Sequence, residues 1–237
     1  EYDKLINSKT DELSFEKEIK KNIYSKISDS VSNPIIPEPM KINLNKNKFI
    51  NCNNGFLIQD STLIETFKAI KDTCNNLSID FLSQNGLQIF YQQKNFKVDE
   101  YKLIISSQQI QIIAGDYGGR LYALISLIHL AYYYKNKIPE GIIEDRPQFK
   151  WRGMHLDCSR QYHSIIQVKR LLLYMAIFKL NRFHWHLTDN EAWRLDIKSF
   201  PNLASDSSFR GYKLLIPPLY GSGYNSYGGF YSSENVK

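Results

Sequence analysis

The feature that most constrains the fold is a strand, a helix and a second strand in close succession. Residues 151–158, WRGMHLDC, and the apolar run at 182–187 are typical of strands. The helix between them is indicated by apolar residues at helical spacing, namely Val168, Leu171, Leu172, Met175 and Phe178. Ser164 and Gln167 form a capping-box pattern in front of it, and Asn181 is a reasonable end. Short connections of this kind predict a βαβ unit with parallel strands.

The preceding residues, 34–144, predict a small α+β domain. Short apolar or alternating runs that indicate strands lie at 87–91, 101–105 and 110–114, and a hairpin-sized gap separates the last two. A helix is predicted at 61–75, with Asp60 or Ser61 as its cap, because three apolar residues share one helical face, Leu63, Phe67 and Ile70. A second amphipathic helix is marked by Leu121, Leu124, Ile125 and Ile128. Two helices on one small sheet give an α+β sandwich.

The two ends of the chain differ from these parts in composition. Residues 1–33 are polar and charged, which predicts a solvated helix or a loosely held arm. Three prolines at 34–39 exclude a helix there and predict an extended strand at the start of the first domain. From residue 199 onward the chain has the Ser, Gly, Tyr and Pro content of loops, and a further helix is predicted to start at Ser233. Because a domain rarely ends at a helix start, we expect the chain to be truncated at Lys237.

Charge, cysteine content and hydropathy argue against several classes of protein. The formal net charge of +6 is scattered rather than concentrated in a run, which argues against a nucleic-acid interface. Cys52, Cys74 and Cys158 form no CxxC pair; three ordinary thiols are the favoured interpretation, and a Cys52–Cys74 disulfide is the alternative. No run of 18 apolar residues indicates a membrane span.

The residues that could carry chemistry are concentrated between Trp151 and Trp193. This stretch holds four of the five histidines and all three tryptophans. In parallel α/β folds the functional site lies at the carboxyl ends of the strands, where Asp157, Arg160 and Asp189 are predicted to fall. The alternative is that Arg160 and Asp157 form a purely structural ion pair.

The spacing of two histidines is compatible with a metal-binding site. His184 and His186 lie two apart on a predicted strand and should face the same side, so they could hold one ion. No further ligand is apparent at a following strand end, and His155 and His163 are interpreted as structural, so we expect no metal. The chain contains no GxGxxG, P-loop or GxSxG motif, and no cofactor is expected.

Two motifs resemble those of the family 20 glycoside hydrolases, the β-N-acetylhexosaminidases. The first is an aromatic-Arg-Gly followed by LDxxR, within DRPQFKWRGMHLDCSRQYHS. The second is KLNxxHWHLTD followed by WR, within KLNRFHWHLTDNEAWRLDIKSFPNL. The earlier segments IIPEP, EYKLIIS and IxIxA also look like the small α+β domain that precedes the barrel in this family. The resemblance covers roughly residues 34–237.

This resemblance implies an α/β fold in which residues 145–237 are the first βα units of a (β/α)8 TIM barrel. It implies removal of terminal N-acetylglucosamine or N-acetylgalactosamine from oligosaccharides, with retention, by attack of the sugar's own acetamido oxygen. Arg160 matches the arginine that binds hydroxyls of the terminal sugar, and Asp189 matches an aspartate that supports a histidine next to the acid. The family usually has a second aspartate where this chain has Asn190. Periplasmic or secreted proteins are common in the family.

The catalytic Asp-Glu pair of the family has no counterpart in the barrel segment. Asp11-Glu12 and Asp99-Glu100 both precede it, so we expect the pair beyond Lys237 and expect this chain to be inactive alone. About 90 residues cannot close a barrel that needs roughly 250. Three hypotheses remain: part of an active hexosaminidase, a non-catalytic sugar-binding or interaction module, and a metal-dependent hydrolase.

Overall fold

The computed structural model describes residues 33–71, 83–218 and 225–236. The predicted N-terminal arm, except for Asn33, therefore lies outside the described residues, as does Cys74. The sheet region comprises the described residues from 33 to 145, and the βαβ segment those from 146 to 236.

The sheet region is built on a mixed six-stranded sheet in the order β1-β6-β4-β5-β3-β2. Its strands are β1 Lys41–Asn51, β2 Phe56–Ile58, β3 Leu87–Gln93, β4 Tyr101–Ile105, β5 Ile110–Ala114 and β6 Lys137–Asp145. The β4–β5 pair is antiparallel, which confirms the predicted hairpin, whereas β2, β3 and β5 run parallel to one another. The three predicted strands are thus confirmed, and the sequence analysis missed β1, β2 and β6.

Two helices pack on this sheet, as predicted. Helix α1 (Ser61–Lys68) begins where the Asp60 carboxylate accepts hydrogen bonds from two backbone N–H groups of its first turn. It ends at Lys68, whereas the predicted helix extends to residue 75. Residues 72–75 of that prediction lie outside the described residues. Helix α2 (Tyr117–Tyr133) is capped by Asp116 and is buried along most of its length against β4, β5, β6 and α1.

The prolines near residue 34 do not form the predicted strand. Residues 35–37 are a bend, and β1 begins only at Lys41, so that prediction was wrong. Proline fixes φ and lacks an N–H, and three of them in six residues favour a turn as much as an extended strand. Ile35 between them is nevertheless buried in the core of the sheet region.

The βαβ segment contains the predicted strand, helix and strand. They are β7 Gly153–Asp157, α3 Ile165–Ile177 and β8 Arg182–His186, and the two strands pair in parallel. Ser164 and Gln167 form the capping box, with each side chain bonded to the backbone of the other residue. The βαβ prediction is confirmed.

Short elements follow β8: β9 Thr188–Asp189, β10 Ala192–Trp193, α4 Pro201–Ser207, β11 Phe209–Arg210, β12 Tyr227–Gly228 and α5 Ser233–Val236. The predicted helix start at Ser233 is confirmed. The prediction of loop from residue 199 was wrong over α4, which begins with Pro201 in its first turn and buries Ala204. Within the described residues, no helix has the length and apolarity to cross a membrane.

Two largely buried ion pairs join the sheet region to the βαβ segment. Arg152 Nη2 lies 2.7 Å from Asp99 Oδ2, and Lys179 Nζ lies 2.8 Å from Asp145 Oδ2. Asn181 adds a hydrogen bond to Asp99. Arg152, Lys179 and Asn181 belong to the two motifs of the sequence, so these motif residues fix the junction between the two parts.

Candidate functional site

The carboxyl ends of β7 and β8 meet at one edge of the βαβ segment. Asp157 at the end of β7 lies opposite His186 at the end of β8 in the parallel register. The turn after β7 carries Arg160, and the small β9–β10 hairpin after β8 carries Asp189 and Glu191. The fold therefore brings together the three residues predicted to lie at strand ends, Asp157, Arg160 and Asp189.

Arg160 is the centre of this group because three carboxylates surround its guanidinium. Its Nη1 lies 2.7 Å from Asp189 Oδ2 and 3.2 Å from Asp157 Oδ2, and its Nε lies 3.3 Å from Glu191 Oε2. The Arg160–Asp157 ion pair exists, as the structural alternative predicted, but it is one part of a larger cluster. Arg160, Asp189 and Asp157 all remain about one-third exposed, so the cluster is open to a ligand.

The sequence analysis missed Glu191. Its side chain is more buried than those of the other two acids, and it contacts Arg160 only because the β9–β10 hairpin folds back toward the end of β7. The signal available in the sequence was an acidic residue two positions after Asp189, in a segment too short to be recognised as a hairpin.

The electrostatics of the cluster favour ionised groups. Partial burial opposes ionisation of Asp157, but the backbone N–H and the positive charge of Arg160 outweigh it and lower the pKa of that carboxyl. A hydrogen bond from the Asn190 backbone N–H, together with Arg160 and His186, lowers the pKa of Asp189. The acids in turn raise the pKa of Arg160 against the effect of its desolvation. The site thus presents charged donors and acceptors at neutral pH.

A buried arginine supports the site from behind. Arg194 is fully buried and donates hydrogen bonds to the carbonyl oxygens of Cys158, Ser159, Ser208 and Gly229. Two of these carbonyls immediately precede Arg160 in the chain. Arg194 is the arginine of the WR pair in the second motif, and its contacts explain why that position needs a fork of N–H donors.

Three histidines form a second cluster on the same face of the two strands. His155 lies opposite His184 in the register, and His186 is one layer nearer to the strand ends. The His155 and His184 rings are 4.7 Å apart between centroids, and one ring nitrogen from each of the three residues lies within 4.8 Å of the others. The sequence analysis found no third partner for His184 and His186; the structure supplies His155 from the preceding strand.

Comparison with known proteins shows what this arrangement resembles. Residues 149–237 match the family model described as glycosyl hydrolase family 20, catalytic domain. A β-hexosaminidase of Vibrio vulnificus is 31% identical over 228 residues, which are 90% of this chain and 27% of that protein. A β-hexosaminidase of Vibrio furnissii is 38% identical over 139 residues, which are 58% of this chain and 23% of that protein. Residues 149–237 are therefore similar to the catalytic domain of glycosyl hydrolase family 20.

Solved structures of family 20 enzymes agree with the fold. The exo-β-N-acetylglucosaminidase of Vibrio harveyi, solved in complex with N-acetylglucosamine, superposes with a TM-score of 0.76 at 32% identity. The match covers 86% of this chain and 33% of that structure. The chain therefore spans about a quarter to a third of the length of the family 20 relatives that it matches. Similarity to these enzymes implies a TIM-barrel type of α/β fold for the βαβ segment.

Of the two Asp-Glu pairs in the sequence, the one within the described residues lies away from this site. Asp99, next to Glu100, is held by Arg152 and Asn181 at the junction between the two parts. Asp11-Glu12 lies outside the described residues. Within the described residues, the cluster at the strand ends thus holds one guanidinium and three carboxylates and no Asp-Glu pair.

Proposed function

We propose that this chain is part of a β-N-acetylhexosaminidase and contributes one side of the pocket for the terminal sugar. The observation that carries the proposal is Arg160, surrounded by Asp157, Asp189 and Glu191 at the carboxyl ends of two parallel strands. Enzymes built on (β/α)8 barrels place their active sites at this end of the strands. The motif match and the family 20 relatives support the same assignment.

The cluster has the chemistry that a sugar requires. Each hydroxyl of a pyranose both donates and accepts a hydrogen bond, so a binding site with donors beside acceptors suits it. Arg160 offers a planar fork of donors in fixed geometry, and the three carboxylates around it hold that plane in place. In this proposal Arg160 binds adjacent hydroxyls on the side of the terminal sugar that faces away from the bond to be broken.

The reaction would proceed with retention and with help from the substrate. The acetamido oxygen of the sugar attacks the anomeric carbon, and a glutamic acid protonates the leaving oxygen. In this proposal Asp189 is a positioning residue that orients a histidine further along the complete chain, and its Oδ2 already lies 3.1 Å from His186 Nε2. The Asp-Glu pair would come from a part of the barrel outside the printed sequence, so we expect this chain alone to be inactive.

The test is an assay of the product of the complete reading frame that contains this chain. It should hydrolyse 4-nitrophenyl N-acetyl-β-glucosaminide or the galactosaminide, and proton NMR should detect the β-anomer of the sugar first. Arg160→Lys should lower kcat/KM about 10- to 100-fold, the equivalent of one lost charge-assisted hydrogen bond.

Arg182→Lys is the matched control, because Arg182 lies at the opposite end of β8. Its kcat/KM should stay at the wild-type value. A folded product that hydrolyses neither substrate would support the non-catalytic alternative, and the chain alone should then still bind N-acetylglucosamine through Arg160. An unchanged kcat/KM in Arg160→Lys would remove Arg160 from the sugar pocket.

A further inference from the structure

The three-histidine cluster consists of His155, His184 and His186, on one face of β7 and β8. The proposed sugar pocket gives no role to His155 or His184. Adjacent parallel strands project these rings to the same side, and His155 and His184 are exposed. One nitrogen from each ring lies within 4.8 Å of the other two. A tetrahedral ion with metal–nitrogen bonds of about 2.0–2.1 Å needs its nitrogens about 3.4 Å apart, which a small rotation of exposed side chains can provide.

A carboxylate already orients one of the three rings. His186 Nε2 lies 3.1 Å from Asp189 Oδ2. Histidines that bind metals usually donate the N–H of one ring nitrogen to a carboxylate, which fixes the tautomer and leaves the other nitrogen free to ligate. The His186–Asp189 contact has this form in the tautomer that carries the proton on Nε2, and in that tautomer Nδ1 is the nitrogen that can bind an ion.

The local charge also favours a cation. Three carboxylates, from Asp157, Asp189 and Glu191, face a single guanidinium, that of Arg160, which leaves an excess of two negative charges next to the histidines. A divalent ion would balance this excess. Arg160 Nη1 lies 3.4 Å from His186 Nε2, the same ring nitrogen that contacts Asp189. Arg160 therefore does not compete with an ion for His186 Nδ1.

We propose that His155, His184 and His186 form a binding site for one divalent transition-metal ion of the zinc, nickel or copper type. Imidazole is a preferred ligand for these ions, and three protein ligands leave a fourth position for water. The site shares His186 and Asp189 with the proposed sugar pocket, but it rests on the strand register and ring geometry, so it does not depend on glycosidase activity.

The experiment is a titration of the product of the complete reading frame that contains this chain, prepared without an affinity tag and stripped of metal, with zinc chloride in a calorimeter. We expect saturable binding of one ion per chain. Asp189→Asn should weaken binding about 10- to 100-fold, the cost of losing a carboxylate partner behind a ligand. His155→Asn and His184→Asn each remove a ligand and should weaken binding by more than that.

His163→Asn is the matched control, because His163 lies in the irregular segment before α3 and is not one of the three histidines whose ring nitrogens converge. It should bind zinc as the wild type does. Circular dichroism establishes that each variant is folded, and the visible spectrum of the cobalt(II) complex tests the ligands without any substitution. The absence of saturable zinc binding by the folded chain, or equal affinity in His155→Asn and the wild type, would overturn the site while leaving the glycosidase proposal untouched.

Discussion

Six strands and two helices of the sheet region enclose one continuous apolar core, whereas the buried apolar cluster of the βαβ segment consists of Cys158, Val168 and Tyr231. In the sheet region, β4 alternates cleanly, with Tyr101, Leu103 and Ile105 buried and the residues between them half-exposed. In the βαβ segment, one face of β7 and β8 packs on that small cluster, and the opposite face carries the histidines and the acids.

This difference in the number of buried apolar side chains indicates which interactions stabilise each part. Burial of apolar area holds the sheet region together, with each buried Leu or Ile side chain contributing about 1.5–3 kcal/mol. Among the described residues the βαβ segment has fewer such side chains, and its polar anchors are chiefly Arg194 within the segment and Lys179 and Arg152 at the junction. The candidate site thus lies on the part that is held by directional polar contacts.

The largest effect should come from breaking the junction with Lys179→Met. Lys179 adopts a left-handed backbone conformation just after α3 and places its ammonium against Asp145 and the Tyr101 hydroxyl. Removing one partner of a buried pair leaves the other charge uncompensated, which costs about 3–5 kcal/mol. Hydrogen exchange should become faster in β7, α3 and β8, while β4 and β5 keep their protection.

The control is the same substitution at an exposed position of α3, Lys169→Met, which should change stability by less than about 0.5 kcal/mol. Adding Asp145→Asn to Lys179→Met should recover part of the loss, because the uncompensated charge is then removed. Equal acceleration of exchange in both parts would show that they unfold as one unit and would contradict the comparison.

The largest pH-dependent effect near neutral pH should come from the sheet region. Burial also lowers the pKa of His163 in the βαβ segment, which adds a contribution of the same sign. Burial in α2, together with the nearby positive charge of Lys179, lowers the pKa of His129 from 6.5 to about 4. The unfolded chain therefore binds more protons between these values, so stability is complete above about pH 6.5 and falls as the pH drops toward 4. The total loss is up to about 3 kcal/mol. Urea unfolding between pH 7 and 4.5 measures it.

His129→Gln should flatten this pH dependence, because glutamine can accept the hydrogen bond from the Ile36 backbone N–H without titrating. Asp157 and Asp189 also have a lowered pKa, so the stability they contribute is lost only as the pH falls below about 3.8, outside this window. An unaltered slope in His129→Gln would assign the effect to another group.

Local patterns in the sequence predicted the elements that have strong periodicity. Helix α2, the β4–β5 hairpin and the βαβ unit follow from apolar spacing and caps that lie within a few residues of each other. Strand β1 was missed because it lies at the edge of the sheet and is mostly exposed, so its sequence, KINLNKNKFIN, shows little apolar alternation. Its register with β6 joins residues almost a hundred positions apart, which no local pattern encodes.

The site was predicted in part for the same reason. Strand ends and the family resemblance indicated Arg160 and Asp189, and the structure brings both together. Glu191 and His155 were missed as partners because each reaches the cluster through pairing between strands: the β9–β10 hairpin for Glu191, and the register of β7 with β8 for His155. The sequence identified Arg194 only as the arginine of the WR pair and did not predict its role. The four backbone carbonyls that accept its hydrogen bonds come together only after folding.

The smallest change in stability should come from the capping box of α3. It tests the comparison between the two parts because the capping box involves only residues close together in the sequence. Ser164→Ala removes the side-chain acceptor for the Gln167 N–H and should cost about 1 kcal/mol. In a part with so small a core, that loss should appear as faster exchange of the first amides of α3, with β4 and β5 unaffected. Ser164→Asp keeps an acceptor at the same position and should restore the protection. If Ser164→Ala left those amides as protected as in the wild type, packing rather than the cap would fix the start of α3, and the βαβ segment would resemble the sheet region more than its buried cluster indicates.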